Sequence, residues 1–142
     1  MPRESAGAGW IYGQEHFRIP IPAGTGQVSS LLSLPVLRGV TLIFIKAVVV
    51  VAATGASASR VLNIRRGNAT GTVVATTTYV LADGATVGSF KDIPVTAGAA
   101  AGAPFIDSDT LTVEWPTAGA VAFTAGELDL VLYTRQRLQQ KN

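Results

Sequence analysis

The chain has 142 residues, of which 48% are hydrophobic and only 14% are charged, with a net charge of +2 and no cysteine. This length suits one domain with a real core, the missing cysteines exclude disulfides and thiolate metal sites, and the weak net charge argues against a nucleic-acid partner. Because ordinary domains carry about 25% charged residues, we expect an oligomer or a larger assembly to cover part of the surface.

Residues 1–26 are predicted to form an extended N-terminal arm. The first residues, "MPRESAGAGW", lack the apolar region of a secretory signal. The arm also carries Trp10, Ile11, Tyr12 and Phe17, whereas a disordered tail contains few aromatic residues. We therefore take these four side chains as the candidate partner-binding residues. The alternative is that Trp10 and Phe17 fold back onto the chain's own domain.

The most apolar stretch, "TLIFIKAVVVVAAT" at 41–54, is predicted to be a long strand. It is shorter than the roughly 20 residues that a membrane helix needs, and its many β-branched residues favour a sheet. A strand that is apolar on both faces is expected to be covered on both sides. Lys46 interrupts the run, so its amine must reach solvent or meet a carboxylate or carbonyl. We interpret it as the mark of a sheet face covered by a partner subunit.

Shorter β-like runs follow along the chain, separated by turn signals such as "GNATG" and "ADGA". In "DTLTVEW" at 109–115, Leu111, Val113 and Trp115 share one face, and in "GELDLVLYTRQRL" at 126–138 the leucines alternate with polar residues. Short strands at this spacing without a convincing helix predict an all-β fold, a single jelly-roll-like β-sandwich over 27–138. Residues 139–142 form a polar C-terminal tail.

Candidate catalytic groups are few, and we predict no catalytic, cofactor or metal site and no enzymatic activity. The one histidine, His16, lies in the predicted arm, and a Ser-His-Asp triad would need it placed in a pocket with a serine and a carboxylate. Asp107 and Asp109 are too few oxygen ligands for calcium, and we expect them to solvate a loop. Glu114 and Glu127 could act as acid and base, but their spacing does not place them in one cleft.

The basic residues are too few, and too well offset by nearby acids, to form a nucleic-acid surface. We expect them to solubilise the surface or to form salt bridges across a subunit boundary. The arginines concerned are Arg60, Arg65, Arg66, Arg135 and Arg137.

Three stretches together resemble the small β-sandwich proteins that decorate or cement the capsids of tailed bacteriophages. They are the long strand "IFIKAVVVVAATG", the hairpin "RVLNIRRGNATG" and the closing strand "TAGELDLVLYTR". The resemblance covers roughly residues 27–138. It implies a jelly-roll protein without a cofactor, a homotrimer that binds the major capsid protein on the outside of the virion and clamps its subunits together. Neither a membrane nor a nucleic acid is an expected partner.

A second hypothesis is a phage head-fibre or receptor-binding module that recognises a glycan. Such a site needs an exposed aromatic side chain beside polar groups, and Trp115, flanked by Glu114 and Pro116, is the only candidate. Because Trp115 is in phase with Leu111 and Val113, the pattern favours burial of its ring in the core.

Overall fold

The computed structural model describes residues 10–24, 26–32, 40–55, 58–67, 70–96, 110–116 and 123–137. Asp107, Asp109 and the predicted tail 139–142 lie outside the described residues. The described part contains eight strands and a short 3₁₀ helix at Leu81–Gly84. The strands are β1 (Trp10–Pro20), β2 (Val28–Leu32), β3 (Val40–Gly55), β4 (Ser59–Arg66), β5 (Thr72–Val80), β6 (Phe90–Ile93), β7 (Leu111–Trp115) and β8 (Phe123–Arg137).

The strands form two four-stranded sheets, the first in the order β1-β8-β3-β6 and the second in the order β2-β7-β4-β5. The antiparallel pairs are nested: β1 pairs with β8, β2 with β7, β3 with β6, and β4 with β5. Nested pairs of this kind are what one long hairpin produces when it is rolled into two sheets, which is a jelly roll. The predicted all-β jelly-roll sandwich is therefore confirmed.

The core lies between the two sheets and follows the period-two alternation of strand side chains. In β8, Leu128, Leu130 and Leu132 are all buried, as the alternation in the sequence predicts. In β3, whose β-branched residues form the predicted strand, Ile45 and Val49 are buried on the same face. The outer face of β3 has no covering layer among the described residues, and coverage of that face by a partner subunit stays a prediction.

Aromatic side chains fill one region of this core. Tyr79 meets the edge of Trp115 at a centroid distance of 6.4 Å and lies 6.2 Å from Phe123. Trp115 is almost completely buried, as its phase in the sequence predicts. Burial, together with the nearby charge of Asp83, raises the pKa of Tyr79 to about 12, so this phenol stays neutral at physiological pH.

The predicted arm contributes a strand to the sandwich. Residues 10–20 form β1, which pairs with β8 over its whole length, from Trp10 opposite Arg137 to Pro20 opposite Glu127. Proline at the end of an edge strand removes no ladder hydrogen bond that the sheet needs. This part of the arm is therefore docked on the chain's own domain.

Arg60 holds one end of the sandwich together. Its side chain is only 2% exposed, and its guanidinium donates hydrogen bonds to five backbone carbonyls. The carbonyls belong to Pro22, Gly24, Gly26, Trp115 and Pro116. The expectation that this arginine lies on the surface or in a subunit boundary is wrong, because inside the chain it bridges the segment after β1 to the end of β7.

Gly126 allows β8 to pass close to two neighbouring segments. Its φ of +140° lies in a region that side chains rarely adopt, and a Cβ there would lie 2.7 Å from Ile21 Cδ1 and 3.1 Å from Ala53 Cα. The Gly126 carbonyl also accepts a hydrogen bond from the Ile21 amide at 2.9 Å. A β-bulge in the β3–β8 ladder accompanies this contact.

Replacing Arg60 by methionine should destabilise the fold by about 3 kcal/mol, because buried carbonyls lose their donors while the apolar volume is retained. Arg60→Lys should recover only part of the loss, since an ammonium has three donors and no planar fork. Urea denaturation measures both values. Equal stability of Arg60→Met and the wild type would show that the carbonyls do not depend on the guanidinium.

Gly126→Ala should cost about 3 kcal/mol, from backbone strain and from the overlap with Ile21. Gly26→Ala is the matched control, because a Cβ at Gly26 meets nothing within 4 Å. The midpoints of urea denaturation should separate the two variants clearly. A Gly126→Ala protein as stable as Gly26→Ala would contradict the close packing at this bulge.

Candidate interaction surfaces

The outer face of the first sheet carries a group of aromatic side chains around one lysine, which we call the aromatic face: Phe44, Lys46, Phe90 and Tyr133. Strand register brings them together, because Phe44 lies opposite Tyr133 across β3 and β8, and Phe90 lies opposite Val48 across β3 and β6. The rings of Phe44 and Tyr133 stack with centroids 4.2 Å apart and planes 13° apart. Phe44 is 38% exposed and Phe90 is 55% exposed.

Lys46 lies among these rings. Its Nζ is 4.2 Å from the centroid of Phe90 and 5.9 Å from the centroids of Phe44 and Tyr133. Each ring face attracts a cation, and such contacts contribute about 0.5–1 kcal/mol at exposed sites. Within the described part of the chain the ammonium forms no ion pair or hydrogen bond. The ammonium thus lies over aromatic rings on the outer face, and the predicted contact with a carboxylate or carbonyl is not formed within the described residues. The alternative, an amine that reaches solvent, stays a prediction.

Apolar residues extend the aromatic face along β3. Val48 is half-buried opposite Phe90, and Val51 is exposed opposite Glu127. Contiguous exposed apolar side chains of this kind mark surfaces that bind another molecule more often than isolated ones do. The outer face of the first sheet is therefore a candidate interaction surface.

The four predicted partner-binding residues divide into two groups. Ile11 is 52% exposed and Tyr12 is 67% exposed near the start of β1. Phe17 is half-buried and packs against the core, as the alternative of folding back onto the domain predicts for this residue. Trp10 begins β1 opposite Arg137, and its side chain lies outside the described part of the structure. Ile11 and Tyr12 are thus the pair that β1 leaves accessible.

Ion pairs occupy the outer side of the β1–β8 ladder. His16 Nδ1 donates to Asp129 Oδ2 at 2.8 Å, and Arg18 Nε donates to Glu127 Oε1 at 2.8 Å. Both pairs are diagonal across the ladder, since His16 lies opposite Val131 and Arg18 lies opposite Asp129. His16 is more than half exposed, so it is part of a surface ion pair, which contributes about 0–1 kcal/mol.

The outer face of the second sheet is polar and centres on Glu114 of β7. Its carboxylate accepts hydrogen bonds from Gln27 Nε2 at 3.2 Å, from Asn63 Nδ2 at 3.1 Å, and from Arg65 Nη2 at 3.1 Å. The Arg65 side chain also donates to the Gly71 carbonyl at 2.8 Å. The salt bridge of this arginine therefore lies within one chain, and the expectation of a bridge across a subunit boundary is wrong for Arg65.

Hydrogen bonding sets the ionisation of Glu114. The bond from Asn63 contributes most to a pKa below the ordinary value of 4.5, and the bond and charge of Arg65 act in the same direction, while burial opposes them. The carboxylate is therefore ionised and fully engaged at neutral pH. It lies on the second sheet, whereas Glu127 lies on the first and pairs with Arg18. The two carboxylates do not form an acid–base pair.

Part of this arrangement was readable from the sequence. Alternation in "ELDLVLY" places Tyr133 opposite in phase to the core leucines, and Lys46 two residues after Phe44 places both on one face. Phe90 carries no such signal, because only the register of β6 against β3 brings its ring to Lys46. Trp115, the residue on which a glycan site would depend, is in the core.

Among the described residues, no group of three or more histidine, aspartate or glutamate side chains is placed to hold a metal ion. The same part of the chain contains no helix that is long and apolar enough to cross a membrane. Comparison with known proteins gives no match: no family model fits the sequence, and no curated protein or solved structure is significantly similar to it.

Glu114 should make the stability of the protein depend on acid. A folded-state pKa below the unfolded value means that the stabilisation is complete above pH 4.5 and is lost as the pH falls through the folded value. Glu114→Gln should cost about 2 kcal/mol at neutral pH, and the gap to the wild type should narrow in acid. Urea denaturation between neutral and acidic pH measures the gap.

Glu15→Gln is the control for this titration, because Glu15 forms no ion pair or hydrogen bond within the described residues. The stability of Glu15→Gln at neutral pH should equal that of the wild type. If the gap between Glu114→Gln and the wild type stays constant in acid, the hydrogen bonds to Glu114 do not favour its charged form.

Proposed function

We propose that this chain is a structural protein of a virus particle, a decoration or cement protein that binds the outside of the capsid as a trimer and stabilises it. The observation that carries the proposal is the exposed pair Ile11 and Tyr12, which are 52% and 67% exposed on an edge strand. Large apolar side chains at such a position dominate binding energies when a partner covers them.

The edge itself adds a second means of attachment. Among the described residues β1 pairs with β8 alone, so its other side presents backbone donors and acceptors that an extended segment of another protein can pair with. Main-chain hydrogen bonds would supply affinity, while Ile11 and Tyr12 would fill apolar pockets. The proposed partner is therefore a major capsid subunit with an extended segment and apolar pockets beside it.

The fold is compatible with this role. Jelly rolls serve in viral capsids and in lectins, and one fold supports many functions. The glycan-binding alternative depended on Trp115 and Glu114, and these are a core residue and a carboxylate already held by Arg65. The exposed apolar residues favour attachment to a protein surface.

Stabilisation of a shell follows from multivalent binding. A trimer offers three copies of the β1 edge, and after the first copy binds, the others bind from a high effective concentration. Binding to the assembled shell and not to its separated subunits shifts the equilibrium toward the shell. No covalent bond is made or broken in this mechanism.

Substituting Ile11→Ser and Tyr12→Ser together should weaken binding to undecorated shells of the phage that encodes the chain by about tenfold or more. Co-sedimentation measures the binding, and the melting temperature of the shells measures their stabilisation. A deletion of residues 1–15 is less suitable, because it removes part of the paired strand β1.

Val61→Ser is the matched control, because Val61 is exposed on the outer face of the second sheet. It should bind shells as the wild type does. The proposal is overturned if the wild-type protein neither co-sediments with the shells nor raises their melting temperature. If the Ile11→Ser/Tyr12→Ser variant binds shells as well as the wild type does, the β1 edge is not the contact.

A further inference from the structure

We propose that the aromatic face binds the same face of a second copy of this chain, with Lys46 of each copy paired to Asp92 of the other. This contact is separate from the proposed binding of β1 to a capsid, and it does not depend on that function. The two residues lie on one outer face and are direct cross-strand neighbours of β3 and β6.

The ammonium of Lys46 has no hydrogen-bond acceptor or ion-pair partner among the described residues. It lies over the rings of Phe44, Phe90 and Tyr133. An ammonium that lies over aromatic rings and lacks an acceptor can donate to a carboxylate that approaches from outside. The charge-assisted hydrogen bond that results is about twice as strong as a neutral one.

The carboxylate of Asp92 is likewise unpaired among the described residues. Asp92 is exposed and forms no ion pair or hydrogen bond with the described residues. It faces Lys46 across the ladder, yet the ammonium lies 4.2 Å from the ring of Phe90 instead. Opposite charges on cross-strand neighbours normally attract, but these two groups are not paired with each other, and each is available to another molecule.

The other carboxylates on the described part of this face already have partners. Asp129 is held by His16 and Glu127 by Arg18, each at 2.8 Å. In the described part of the outer face, Asp92 is therefore the carboxylate still available, and it lies beside the available cation. A face that carries both members of an unsatisfied pair is complementary to itself.

A two-fold axis between two copies would pair Lys46 of each copy with Asp92 of the other. In a two-fold contact, residue i of one copy meets residue j of the other, and j meets i. Two Lys46–Asp92 pairs would then form at once, and Phe90 and Val51, which are 55% and 46% exposed, would be covered between the sheets. Removal of water from the rings strengthens both the apolar contact and the ion pairs.

A two-fold contact closes after two copies. If trimers form through other surfaces, as proposed above, each trimer carries this face on three copies and pairs with a second trimer through it. The molecular mass of the oligomer in solution therefore reports on this contact, whatever oligomer the remaining surfaces of the chain produce.

The test is a charge reversal measured by light scattering and sedimentation equilibrium on the full chain, without shells. Lys46→Asp and Asp92→Lys should each weaken self-association by about tenfold or more, because like charges then meet twice. The double variant Lys46→Asp/Asp92→Lys should recover it, since both pairs are restored in reverse and the net charge is that of the wild type.

Mixing the two single variants gives the sharpest result. The Lys46→Asp face carries two acids and the Asp92→Lys face carries two bases, so an equimolar mixture should form mixed pairs although neither variant pairs with itself. Phe90→Ser should weaken association without altering charge, and Val61→Ser on the other sheet should not. Circular dichroism and thermal melting check that every variant is folded.

The proposal is overturned if the wild-type chain is monomeric at the highest attainable concentration, or if its association is unchanged by both charge reversals. It is equally overturned if the mixture of single variants fails to associate while the wild type does. Capsid co-sedimentation with the same variants is a separate measurement. Loss of self-association with normal shell binding, or the reverse, therefore tells the two proposals apart.

Discussion

The antiparallel pairing of β3 with β8 is the contact on which the rest of the structure depends. It lies at the centre of the first sheet, with β1 and β6 on its two sides. Its register turns Leu130 and Leu132 into the core and, by the same alternation, turns Val131 and Tyr133 outward beside Lys46 and Phe44. The core and the stacked pair of Phe44 and Tyr133 are therefore two consequences of one ladder.

A single sandwich can bury only one face of each sheet, and the two outer faces of this molecule differ in how they meet water. The second sheet uses a connected set of polar groups around Glu114, in which a buried carboxylate is satisfied by Asn63 and Arg65. The first sheet instead presents stacked rings and a lysine. The outer face of the first sheet thus carries an exposed aromatic group, and exposed apolar groups of this kind mark surfaces that bind other molecules.

Much of the fold was predictable because local patterns carried it. The leucines of 128–132 alternate, the β-branched run of 41–54 excludes a helix, and Trp115 is in phase with Leu111 and Val113, and each of these is found as expected. Arg60 was not predictable, because a charged residue in "SRVLNIRR" looks like a surface residue. Only the convergence of carbonyls from segments distant in sequence makes its burial favourable.

The candidate interaction surfaces likewise combine features that the sequence predicts with features that only the tertiary structure decides. Sequence alone determined that the chain is a low-charge β-sandwich, since period-two alternation and β-branched side chains act within one strand. The tertiary structure decided which strands became neighbours, and therefore that Phe90 meets Lys46, that Asp92 lies beside them unpaired, and that Ile11 stays exposed. Register between strands that are distant in sequence depends on packing of the whole sandwich, and no local pattern contains it.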